Sequence, residues 1–103
     1  MLGTHPYLDP EQSLLGSILV NPSVFDEVAD IVHTDDFPHG NHRMIYQLML
    51  DLRNRNEQVN IASVSSLARD KGLIETMGGV TYLGRLVDGV ISFSTPADYA
   101  RTV

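Results

Sequence analysis

A chain of 103 residues sets the scale of one domain, able to bury roughly two-thirds of its unfolded surface around a single core. It has no cysteine, no apolar run of the roughly 18 residues a membrane span needs, and no basic-then-apolar leader in its opening MLGTHPYL. Disulfides, thiolate metal sites, a spanning helix and a signal peptide are thereby excluded, and a soluble, cytoplasmic protein is the expectation.

The net charge of −6 is unevenly placed. Residues 1–42 carry seven acids and no Lys or Arg, whereas residues 43–103 carry seven bases and six acids. An acidic half repels phosphate, which argues against a direct grip on DNA or RNA. It suits a basic protein surface, or simple solvation.

In chain order, Asp9-Pro10-Glu11-Gln12 reads as a helix start, with Asp9 as cap, Pro10 in the first turn and Gln12 returning to the cap. Tyr7 and Leu8 are placed to staple onto that helix, and Leu14, Leu15, Ile18 and Leu19 form its buried stripe. Gly16 sits between them at a cost of about 1 kcal/mol against alanine, a sign of a neighbouring backbone close by. Asn21-Pro22 repeats the start signal for a second helix with an apolar face of Val24, Phe25, Val28, Ile31 and Val32. Its opposite face gathers Asp26, Glu27 and Asp30, the sharpest acidic patch of the chain. Thr34 to Pro38 reads as a short capped turn with Phe37 inward, stopped by its proline.

The stretch His42 to about Arg53 is the expected organising element. Ile45, Leu48, Met49 and Leu52 recur at helical spacing, and Met44, Tyr46 and Leu50 widen the apolar side. Only Arg43, Gln47, Asp51 and Arg53 remain for solvent, so this helix needs cover from several directions, as a central rod with shorter helices around it. Asn60 caps a fourth helix using Ile61, Val64, Leu67 and Ala68, and Gly72 stops it. A short turn follows at Leu73-Ile74, broken by Gly78-Gly79. Val80, Tyr82, Leu83, Leu86 and Val87 give a fifth helix expected to end before Gly89, with Val90, Ile91 and Phe93 in a connector or, alternatively, a short extended piece. Ser94-Thr95-Pro96 caps a last helix, begun by Ala97, Tyr99, Ala100 and Val103. The sequence stops within that helix without a terminator, so a longer parent protein is expected.

No stretch alternates with the period of a strand. The expected fold is all-α: one compact, orthogonal bundle of five to six short helices around a central helix at about 42–54.

Chemistry finds little support. Gly72 through Gly78-Gly79 lacks the lysine of a phosphate-binding loop, so the glycines read as a break between helices. His33, His39 and His42 lie near Asp35 and Asp36, but Pro38 and Gly40 interrupt the helix a metal pair would need; structural or surface roles are expected. No serine sits in a nucleophile elbow, and Tyr46, Tyr82 and Tyr99 fall on apolar stripes. No catalytic, cofactor or metal site is assigned.

Four stretches, in order, resemble the N-terminal domain of the DnaB-type replicative DNA helicase family: Glu11-Gln12-Ser13-Leu14-Leu15-Gly16; Asp36-Phe37 with His42-Arg43, Ile45-Tyr46 and Met49 to Leu52; Leu67 through Gly78-Gly79-Val80, Tyr82-Leu83 and Leu86; and Tyr99-Ala100 with Val103. Asn60 replaces the family's usual aspartate, and Asp88 to Phe93 departs from its Pro- and Thr-bearing connector. The resemblance implies a non-catalytic collar domain spanning residues 1–103, with a helical hairpin starting at about 95–103. The implied parent is a hexameric, ATP-driven helicase, with ATP and Mg in a separate motor domain. Implied partners are other helicase subunits, primase and a helicase loader, with no nucleic acid bound by this domain directly. The isolated fragment is expected to be a monomer without activity, and Asp26, Glu27 and Asp30 are the candidate docking surface for a basic partner. The alternative is a small stand-alone nucleic-acid-binding or adaptor protein, for which Arg53 with Arg55, or Arg69 with Lys71, are the only basic clusters.

Overall fold

The computed structural model describes residues 10–94, and side chains through residue 91. Within them lie α1 (Pro10–Val20), α2 (Ser23–Val28), a 3-10 turn (Thr34–Asp36), α3 (Gly40–Asn54), α4 (Ile61–Asp70) and α5 (Gly79–Ser94), with no strand among the described residues. The expected cap at Asp9, the staple at Tyr7-Leu8 and the final helix after Ser94 lie outside the described residues.

Local chemistry explains the boundaries. Asn21 Oδ1 accepts from Ser23 Oγ at 2.7 Å and from Ser23 N at 3.3 Å, organising the start of α2. Asp36 Oδ2 accepts from His33 N at 2.8 Å and closes the 3-10 turn, the short capped turn its sequence suggests. Asn60 and Ser63 form a reciprocal box: Ser63 N donates to Asn60 Oδ1 at 2.8 Å, and Asn60 N to Ser63 Oγ at 2.9 Å. Gly78 and Gly79 both take positive φ (110° and 79°), a sharp corner before α5 that L side chains resist.

Helix α3 buries Ile45, Tyr46, Leu48, Met49 and Leu52, and α1, the 3-10 turn and α4 all pack on it. Phe37 points inward and lies 5.0 Å, centroid to centroid, from the Tyr46 ring; the Tyr46 hydroxyl donates to Val32 O at 2.8 Å. Burial raises the Tyr46 pKa above the ordinary phenol value, with the nearby Asp36 charge adding to it.

α3 is the central helix expected, but not all of the other helices are shorter than it. α5, at 16 residues, is longer than α3, at 15, and the most extensive helix pair is α1 with α5. The two run in the same direction: Gln12 meets Tyr82, and one turn on Gly16 faces Leu86 and Val90. A Cβ at Gly16 would collide with the Leu86 carbonyl oxygen and come within 2.6 Å of Val90 Cγ2. This is the close backbone approach the buried glycine implies.

Two further expectations fail. Gly89 does not end α5: the helix runs through it to Ser94, and Val90, expected in a connector, is buried against α1. Val90 follows Leu86 by one turn, so its burial outweighs the roughly 1 kcal/mol an interior glycine costs. Ile31, assigned to the apolar face of the second helix, is 72% exposed, because α2 gives way to a turn after Val28. Val24, Val28 and Val32 keep their inward packing.

Candidate docking surface and the polar junction behind it

The three acids of the candidate surface are held by what lies beneath them. Phe25 is 2% exposed and meets Tyr46 edge-on, with ring centroids 5.6 Å apart. Anchored so, α2 turns Asp26 and Glu27 outward. Past Val28 the helix gives way to a turn in which Ile31 N and Val32 N both donate to Val28 O, at 2.9 and 2.8 Å. Asp26 on the helix and Asp30 in the turn are both exposed.

Asp26 has a partner. Arg53 Nε lies 3.5 Å from Asp26 Oδ1, with the guanidinium 5.8 Å from the Phe25 ring centroid. Beside this pair a groove of about 350 Å³ opens between α2 and the end of α3, bounded by Ser23, Asp26, Arg53, Asn56 and Val59. Ile31 adds an exposed apolar side chain next to Asp30.

Among the described residues the bases are dispersed, and four of them are engaged: Arg43, Arg53, Arg55 and Lys71. Arg53 sits on Asp26, Arg55 lies 3.9 Å from Glu57, and Lys71 Nζ donates to Asp51 Oδ2 at 2.9 Å. The Lys71 hydrogen bond holds the Asp51 carboxyl below the usual aspartate range, against a smaller upward push from burial. Arg43 donates to the carbonyls of Phe37 and Pro38 at 2.8 and 3.1 Å. Two-charge clusters engaged this way lack the continuous positive stripe of a phosphate-binding face.

A second groove, about 330 Å³, has Met44, Leu48 and Leu73 as its apolar floor. Across it run hydrogen bonds from Thr34 to Gln47 (3.0 Å), Gln47 to Asp51 (3.1 Å) and Lys71 to Asp51.

Sequence reasoning missed one cluster. His42, 3% exposed, lies between α1 and α5, its Nδ1 2.8 Å from Glu11 Oε1 and its Nε2 2.5 Å from the Tyr82 hydroxyl. Gln12 Nε2 donates to the same hydroxyl at 3.3 Å, and His39 Nε2 lies 4.0 Å from Glu11 Oε2. Of the three histidines weighed as metal ligands, His33 is exposed and His39 mostly so; only His42 is built into the core. No group of three His, Cys, Asp or Glu among the described residues is arranged to hold a metal ion. Glu11-Gln12, His42 and Tyr82 each belong to a motif stretch, and that shared membership was the available sign that they meet.

Fold and surface together define a small all-helical module whose distinctive features are helix junctions and a charged face. The family model for the DnaB-like helicase N terminal domain matches residues 5–103. The chain belongs to that family, and so to the N-terminal domains of replicative DNA helicases. It is 35% identical over 96 residues to the replicative DNA helicase DnaB of Pasteurella multocida (strain Pm70), and 32% identical over 96 residues to the replicative DNA helicase DnaC of Bacillus subtilis (strain 168). Each match covers 93% of this chain and 21% of the relative, so the chain spans about a fifth of those proteins. The crystal structure of the N-terminal domain of DnaB helicase from Mycobacterium tuberculosis superposes with a TM-score of 0.76 at 28% identity, covering 95% of this chain and 71% of that one.

Proposed function

We propose that the domain serves a replicative helicase as a non-catalytic part, supporting assembly of its ring and docking a basic partner protein such as primase or a helicase loader. The observation that carries this reading is the exposed acidic face of Asp26, Glu27 and Asp30, on a fold of the helicase N-terminal family. The pairing of Arg53, Arg55 and Lys71 with acids favours protein contact over nucleic-acid contact.

ATP and Mg belong to the motor domain of such a helicase, and the residues present here do not fit them. Gly72, Gly78 and Gly79 shape helix ends, and no lysine follows them to reach a phosphate. No step on ATP is assigned to this chain.

The test is charge reversal at Glu27 and Asp30, which leaves the Asp26–Arg53 pair in place. Primase or loader affinity, measured by titration calorimetry at two salt concentrations, falls at least tenfold, while the thermal midpoint moves by no more than a few degrees. Unchanged affinity for both partners would remove this face from the proposal.

A further inference from the structure

The geometry points to a conformational latch: a one-way hydrogen-bond relay, Gln12 to Tyr82 to His42 to Glu11, that fixes His42 as the Nδ1–H tautomer and sets the register of α1 against α5. It is independent of the docking reading and concerns the junction of three helices.

The direction follows from donor and acceptor inventories. A carboxylate can only accept, so the hydrogen between His42 Nδ1 and Glu11 Oε1, 2.8 Å apart, must sit on Nδ1. In the neutral ring Nε2 then accepts from the Tyr82 hydroxyl, whereas a protonated Nε2 would take away the acceptor of that O–H. The Tyr82 oxygen keeps lone pairs free to accept from Gln12 Nε2 at 3.3 Å. Every link then has one donor and one acceptor. The opposite tautomer would set the Nδ1 lone pair against a carboxylate oxygen in a site where His42 is 3% exposed. The titratable groups facing the imidazole are Glu11 from α1, Tyr82 from α5 and His39 from the cap position just before α3, its ring centroid 5.4 Å away.

The relay acts on register because of what lies one turn further on. Gln12 and Tyr82 are each four residues before the pair Gly16 and Leu86, where there is no room for a Cβ. If α1 slid by one residue along α5, Leu15 or Ser17 would meet the Leu86 carbonyl. The fit at Gly16 and the directed polar chain thus hold the same register, one by steric exclusion and the other by matched donors and acceptors.

Long-range proton–nitrogen NMR of the 103-residue chain at neutral pH reads the ring states, with exposed His33 as the internal reference. One histidine should show a protonated Nδ1 and an unprotonated Nε2, with its ring proton exchanging slowly. An Nε2–H, doubly protonated or averaged ring at His42 overturns the proposal. Glu11→Gln keeps an acceptor oxygen and should keep this tautomer. Glu11→Leu and Tyr82→Phe should raise amide exchange in α1 at least tenfold while leaving α4 within twofold. Equal acceleration in α1 and α4, or none in α1, would show no latch specific to this junction. Should Glu11→Leu fail to fold, Tyr82→Phe and the wild-type ring state still decide.

Discussion

Single residues carry opposite signs according to what surrounds them. Gly16→Ala, which in a free helix would gain about 1 kcal/mol, should instead destabilise by about 1–3 kcal/mol in urea unfolding, because the new methyl meets the Leu86 carbonyl. Ser65 is 6% exposed and its hydroxyl lacks a hydrogen-bond partner. Ser65→Ala should therefore stabilise, by about 1 kcal/mol in the same measurement. Asp51 gives a pH dependence of known sign. Its folded-state pKa is lowered by Lys71, so the pair's stabilisation is complete above the unfolded aspartate value of about 4 and is lost as pH falls through the lower folded value. Both side chains are partly exposed, which limits the effect to under about 1 kcal/mol. Thermal melts of wild type and Asp51→Asn should differ at neutral pH and converge in acid. At this scale the sequence spoke clearly about Gly16, because a glycine inside an apolar stripe needs a reason. It was silent about the partners of His42, since hydrogen-bond partners 31 and 40 residues away leave no local pattern.

Whole elements were legible wherever caps and periodicity agreed. The fourth helix, with its Asn60 cap and its stripe of Val64, Leu67 and Ala68, forms as read, and so does the apolar face of α3. α5 was cut short because Gly89 was read as a stop. The contact that keeps the helix going, Val90 on Gly16, joins residues far apart in sequence and cannot be seen from one window. The same mechanism limits α2: Ile31 matches a helical stripe on paper but lies where the chain has begun to turn, 72% exposed. α5 offers a control for Gly16. Nothing lies within 4 Å of a Cβ placed at Gly84, so Gly84→Ala should raise stability by about 0.5–1 kcal/mol, measured by chemical unfolding. Loss of stability there would mean that the outer side of α5 is covered.

For the molecule as a whole, the all-helical bundle and its family were legible, because four motif stretches in fixed order span most of the chain. The use of the acidic face was not, since charge at a surface serves solvation as readily as recognition. Sedimentation of the 103-residue chain should give a monomer at micromolar concentration; a tight dimer would show that the chain carries a self-association surface of its own. The side-by-side packing of α1 and α5 has one more consequence, for the order of events during synthesis. Gln12 and Tyr82 are 70 positions apart, so their contact is non-local and closing that loop comes late. A ribosome-bound chain halted before α5 emerges would leave the Gly16 face of α1 without its main neighbour, an invitation to chaperones until translation supplies the missing wall.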